Sequence, residues 1–169
     1  MDLARIATIF DQLQSEGIIG NWAIAGGSAA LFYVEPFVTF DVDLFVAIEQ
    51  RGPLVNLDLF HKRLRELGHD VKGEHVDIDG IAVQVIVPPP GVEADALSHA
   101  VNKQSAGKEV RVVSAEYLMA ICLKVGRAKD KLRLEMFLEE ESYDREVFEK
   151  ILAEQGLMDK WRTYLTNRG

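Results

Sequence analysis

The chain predicts an α+β fold: a small mixed sheet of about five strands flanked by helices, with a helical C-terminal segment. Three observations lead there. Apolar residues recur at helical spacing in some segments and alternate strictly in others. An Asp79-Gly80 pair joins two alternating runs, the signature of a tight hairpin. The chain beyond Lys129 reads as helices only, so strands and helices do not alternate as in an all-parallel sheet.

The elements follow in order. Leu3, Ile6, Ala7, Ile9, Phe10 and Leu13 share one face of a helix that Gly17 ends. A strand from about Trp22 to Ala25 leads through Gly26, Gly27 and Ser28 into a short helix, Ala29 to Val34, which Pro36 closes. The next strand carries Asp41 and Asp43 and runs to about Ile48, and Arg51-Gly52-Pro53 reads as a loop. Leu57 to Leu67 is expected to be helical, with Leu59, Phe60, Leu64 and Leu67 inside and Gly68 as its cap. A two-residue turn at Asp79-Gly80 sets Ile78 opposite Ile81, Val76 opposite Val83, Asp77 opposite Ala82 and His75 opposite Gln84. Pro88-Pro89-Pro90 ends the second hairpin strand, a helix follows from about Glu93 to Val101, and Glu109 to Val113 is a short strand. Ser114 is the expected N-cap of a helix from Ala115 to about Gly126. The 169 residues read as one domain, with a core over about 18–113 and a helical part over about 114–168.

Composition narrows the function. A net charge of −8 argues against broad DNA binding or adhesion to anionic membrane. The longest uncharged run, Gly17 to Val34, contains Asn21, Ser28 and several glycines, which is poor material for a membrane span. The first residues, MDLARIATIFDQLQ, are amphipathic and begin with an acid, unlike a signal peptide, so a cytoplasmic protein is expected. The single cysteine, Cys122, has no internal disulfide partner and reads as a small core residue.

The chemistry concentrates between Trp22 and Val46. Alternation points Asp41 and Asp43 to the same face of their strand. Two adjacent carboxylates repel each other, and a cation between them relieves the cost. Mg²⁺ suits the place, because it takes one or two carboxylates and leaves its other positions to water and phosphates. The turn Gly26-Gly27-Ser28 offers backbone N–H groups to a phosphate chain. Between Lys124 and Arg133 five basic residues and one acid, Asp130, occupy ten positions of an otherwise acidic chain. His75, Asp77 and Asp79 read as the wet face of the hairpin.

These patches together resemble the polymerase-β-like nucleotidyltransferase superfamily: the glycine pair, the Asp-apolar-Asp strand, VQVIV in the hairpin and LKVGRAKD near a helix end. Within it the likeness is to the small bacterial branch that includes the AbiEii-type toxins, and the same α+β fold is implied. The resemblance implies that Asp41 and Asp43 hold Mg²⁺ or Mn²⁺, and that Gly26, Gly27, Ser28 and Thr39 meet the phosphates of an NTP. It further implies that Lys124 or Lys129 neutralises triphosphate charge, that Arg127 adds contacts, and that Asp130 orients a lysine or acts on the acceptor. Two departures stand out. The related group often carries arginine where this chain has Phe37, and the third carboxylate of many active members corresponds here to Gln84, whose amide is no general base.

The function so implied is transfer of a nucleoside monophosphate from an NTP to a hydroxyl of RNA or protein. The implied setting is the toxin of a toxin–antitoxin pair, with a cognate antitoxin as partner. Two alternatives remain open: a catalytically silent nucleotide-binding or antitoxin-like module, and an antibiotic nucleotidyltransferase whose acidic pocket attracts a cationic acceptor. A helical ribonuclease is not expected, because no histidine follows His99 and the Arg-x₄₋₆-His element of that class is therefore absent from the helical segment.

Overall fold

The computed structural model describes residues 2–48 and 57–168. The first half holds α1 (Leu3–Ser15), β1 (Trp22–Ala25), α2 (Gly26–Ala30), β2 (Asp41–Val46) and α3 (Asp58–Glu66). Then come β3 (Asp70–Lys72), β4 (His75–Ile78), β5 (Ile81–Ile86), α4 (Val92–Ser98), β6 (Val101–Ser105) and β7 (Lys108–Val112). Four helices finish the chain: α5 (Ala115–Val125), α6 (Ala128–Glu140), α7 (Arg145–Glu154) and α8 (Met158–Arg168). The expected loop at Arg51-Gly52-Pro53 lies outside the described residues.

One mixed sheet of seven strands runs in the order β3-β4-β5-β2-β1-β7-β6. Its centre is the antiparallel pair β1–β2, flanked by parallel pairings of β2 with β5 and of β1 with β7. The hairpin β4–β5 has the expected register, His75 opposite Gln84 through Ile78 opposite Ile81. Asp79 and Gly80 both take positive φ there, as a primed two-residue turn requires.

Alternation gives the central strands two unlike faces. Trp22 lies opposite Val46 and Ile24 opposite Leu44, so these four point one way. Helices α1 and α3 cover that side: Phe10 packs on Trp22 and Phe60, with ring centroids 5.8 and 6.2 Å away. Ala25 lies opposite Asp43 and Asp43 beside Gln84, and this second face is the floor of a cleft beneath α5 and α6.

Several sequence expectations are corrected. The sheet has seven strands rather than about five, because β3 and β6 were not foreseen. Both lie at sheet edges, and the exposed and half-exposed polar residues of β6 show no apolar alternation. Val101 therefore opens a strand instead of ending a helix, and α4 stops at Ser98. Helix α2 starts at Gly26 and ends at Ala30, not 29–34. Leu59 is 60% exposed rather than inside. Ser114 stands at the N-cap with extended backbone, yet its hydroxyl makes no capping bond.

Phe10, fully buried between Trp22 and Phe60, ties α1 and α3 to the sheet. Phe10→Ala is expected to cost about 3–5 kcal/mol, read as a lower denaturant midpoint with an unchanged slope. A loss under about 1 kcal/mol would show that this face does not carry the fold.

Candidate active site

Gly26 and Asp43 fit together as a pair. Gly26 has φ +55, and a Cβ there would lie 1.8 Å from Asp43 Oδ2. Only glycine relieves both constraints. The next residue, Gly27, donates its backbone N–H to the Asp43 carboxylate. The carbonyl of Asp41 accepts two hydroxyls, Ser28 Oγ at 2.9 Å and Thr39 Oγ1 at 3.2 Å. The start of β2 is thus pinned to α2 through Gly27 and Ser28 and braced locally by Thr39, and the two carboxylates keep a fixed placement.

Burial, and then the charge of Asp41, hold the Asp43 carboxyl above the usual carboxylate range. The Gly27 N–H, Lys129 and Arg133 pull it back in part. A divalent cation would remove the repulsion, and the Gln84 side chain, next to Asp43 across the β2–β5 ladder, supplies an amide oxygen nearby. Among the described residues no group of three or more His, Cys, Asp or Glu forms a metal cluster. The donor set is two carboxylates and an amide, which fits Mg²⁺ or Mn²⁺ that keeps water and phosphate oxygens as its other ligands.

The cleft above has a volume of about 660 Å³. Of the residues singled out in the sequence, Gly26, Gly27, Thr39, Asp41, Asp43, Gln84, Arg127, Lys129 and Asp130 line it. Two do not. Ser28 is fully buried with its hydroxyl on the Asp41 carbonyl, so it positions the strand. Lys124 is held by Glu93, whose carboxylate oxygens lie 2.9 and 2.7 Å from its ammonium.

Asp130 is 3% exposed, and its oxygens accept from the backbone N–H, Nε and Nη2 of Arg127. It therefore fixes Arg127 at the start of α6 rather than a lysine. His75 and Asp77 are exposed on the hairpin; Asp77 accepts from the Gly80 N–H and Asp79 pairs with Arg5, so these acids support the turn. No helix among the described residues is long and apolar enough to cross a membrane.

Sequence reasoning counted Arg133 in the basic cluster and gave it no task. In the structure it lines the cleft, with its guanidinium 5.5 Å from the centre of the Phe37 ring. Its spacing held the signal: Lys129 and Arg133 lie one helical turn apart and share a face of α6.

Gly26→Ala is expected to cost about 2 kcal/mol, from the positive φ and the clash with Asp43. Adding Asp43→Ala removes the clash and recovers part of that loss in a double-mutant cycle. Strictly additive losses would show that the two residues do not constrain each other.

No protein-family model and no curated protein sequence matches the chain. Solved structures do. An antigenic nucleotidyltransferase-like protein from Paracoccidioides brasiliensis is similar with a TM-score of 0.53 and 14% identity, over 90% of this chain and 86% of that one. The antibiotic-resistance factor ANT(2'')-Ia is similar with a TM-score of 0.54 and 18% identity, over 99% of this chain and 98% of that one. The likeness is one of fold: a mixed sheet flanked by helices, as in nucleotidyltransferase-like proteins.

Proposed function

We propose that the chain is a metal-dependent nucleotidyltransferase that moves a nucleoside monophosphate from an NTP to a hydroxyl, with release of pyrophosphate. One observation carries this reading. Across one cleft the Asp41–Asp43 pair faces Lys129 and Arg133, neither of which has a carboxylate within 4.0 Å among the described residues. An acidic pair and uncompensated cations together suit a metal-bound polyphosphate.

Asp41 and Asp43 would hold Mg²⁺ or Mn²⁺, with the Gln84 amide beside them. When bound, the ion supplies charge neutralisation at the phosphates. Lys129 and Arg127 face the phosphate chain, Arg127 being set in place by Asp130. In the reaction the acceptor oxygen bonds to the α-phosphorus, the bond to the bridging oxygen of the β-phosphate breaks, and the hydroxyl proton goes to solvent. Gln84 cannot take that proton, and Asp130 and Glu93 are engaged by cations. The side chains therefore act mainly by positioning and charge neutralisation.

The AbiEii-type likeness points to an RNA or protein hydroxyl as acceptor and to a toxin's role with a cognate antitoxin. The end-to-end likeness to ANT(2'')-Ia raises an antibiotic acceptor as the second reading. The cleft disfavours it: Glu93 is neutralised by Lys124 and Asp130 by Arg127, which leaves only the metal-holding pair for a polycation.

Incubation with each α-labelled NTP, Mg²⁺ and cell extract, followed by separation of RNA, protein and small molecules, tests the reading. Label is expected in a macromolecule; nucleotide binding with no label in any fraction would leave the silent module. Asp41→Asn and Asp43→Asn are each expected to lower turnover about a thousandfold, the loss of several kcal/mol of charge stabilisation. Asp43→Asn should leave the metal-free protein at least as stable as wild type while abolishing any rise in Tm on adding Mn²⁺. A Tm rise retained in Asp43→Asn would rule out the two-carboxylate site.

The two lysines are expected to separate. Lys129→Ala should weaken Mg²⁺–NTP binding about tenfold by calorimetry, the loss of one charge-assisted contact, and Lys124→Ala by less than about threefold. The opposite order would mean that Lys124 leaves Glu93 when nucleotide binds.

A further inference from the structure

We propose that the groove between α5, α6 and α8 is a second binding site, which takes a small organic phosphate of mononucleotide size without a metal ion. The groove has a volume of about 460 Å³, and among the described residues Cys122 alone lines both it and the cleft. The period of α6 makes this division. Lys129 and Arg133 share the cleft face, whereas Lys131 and Glu135, two residues further on, lie about 200° around the helix and line the groove.

Three cations and one carboxylate line the groove: Lys131, Lys160, Arg168 and Glu135. Glu135 is already occupied, since one oxygen accepts the Tyr164 hydroxyl and the other lies 2.6 Å from Arg168 Nε. The lysines are not matched. Lys160 donates to the Lys124 carbonyl at 2.6 Å, at the end of α5 where helix carbonyls lack partners. A carbonyl is no full counter-charge, and the ammonium keeps two further protons to donate. Lys131 makes no hydrogen bond or ion pair among the described residues. In a chain of net −8, two unmatched lysines on one concavity make a local field that attracts an anion.

The rest of the lining selects the kind of anion. Leu123, Val125 and Leu134 give the groove an apolar strip, and Val125 is 44% exposed. The Tyr164 ring also lines it, stacked on Trp161 with centroids 5.5 Å apart and planes 12° from parallel. Thr163 and Asn167 add a hydroxyl and an amide. Inorganic phosphate would use the lysines alone. A phosphate on a sugar or a ring-bearing body would use the lysines, the polar groups and the apolar strip together, and roughly 300–1,000 Å³ is the usual size of such sites. A long polyanion fits less well. Because the groove is a basic patch, the chain outside it is more acidic than the whole, and phosphates beyond the lysines meet repulsion.

Calorimetry in EDTA at low ionic strength tests this, with AMP, ADP, inorganic phosphate and adenosine as probes. AMP and ADP are expected to bind, inorganic phosphate at least about tenfold more weakly, and adenosine not to saturate. Lys131→Gln and Lys160→Gln should each weaken AMP about three- to tenfold, and Lys131→Gln, which alters an exposed side chain, should do so with an unchanged Tm. Lys129→Ala should change AMP affinity less than about twofold. Weakening by Lys129→Ala but by neither groove variant would put the nucleotide in the cleft and overturn the proposal. Absence of metal-free AMP and ADP binding, or inorganic phosphate bound as tightly as AMP, would also overturn it. A short single-stranded RNA held more tightly than AMP by the same two lysines would overturn it in favour of a polymer. The transferase reading stands or falls separately, on labelling that depends on Mg²⁺.

Discussion

The Asp43 carboxylate occupies the space where residue 26 would carry a side chain, at 1.8 Å from an ideal Cβ, and the rest of the site depends on that approach. Because β2 lies so close to the start of α2, the Gly27 N–H reaches the carboxylate and the Ser28 hydroxyl reaches the carbonyl of Asp41, which the Thr39 hydroxyl also meets from two residues away in the chain. The contacts from Gly27 and Ser28 cross from α2 to β2, so a shift of β2 away from α2 would break both together, while the Thr39 bond, two residues from Asp41, is local to the start of β2. They hold two like charges side by side against a repulsion that would otherwise turn one of them away.

The other face of the same strand supplies the counterweight. Val42, Leu44 and Val46 are fully buried, each contributing roughly 1.5–3 kcal/mol by leaving water. The carboxylates on the opposite face are only partly buried, and that of Asp43 accepts the Gly27 N–H, so their cost is smaller than an isolated buried charge would incur. Alternation therefore does two jobs in six residues, DVDLFV: Asp41 and Asp43, with buried Phe45 after them, face the cleft, and Val42, Leu44 and Val46 anchor the strand on the other side.

The same alternation explains what the sequence disclosed. Register in the β4–β5 hairpin follows from a period of two and a two-residue turn, both local, and it also places Gln84 beside Asp43 once β5 pairs with β2. Local signals fail where the chain has no core to face. β6 is an edge strand of Asn102, Lys103, Gln104 and Ser105 after Val101, and β3 has a single apolar residue, Val71, so neither shows a pattern. Side-chain pairing was equally hidden. Lys124 and Glu93 are 31 positions apart, and only the packing of α4 on α5 joins them. Ser28 looked like a phosphate ligand because its position beside the glycines was legible, whereas its hydrogen bond to residue 41 was not.

Those pairings decide the electrostatics of the cleft. Lys124 with Glu93 and Arg127 with Asp130 are locally neutral, so four of the charged residues around the cleft contribute little net field. What remains is divided: Asp41 and Asp43 on the floor, Lys129 and Arg133 on α6. A polyamine would satisfy the floor and be repelled by the helix. A polyanion without a cation would satisfy the helix and be repelled by the floor. A polyphosphate that brings its own divalent ion would meet both halves at once, and this division of charge within a chain of net −8 is the electrostatic ground of the proposed transferase reading.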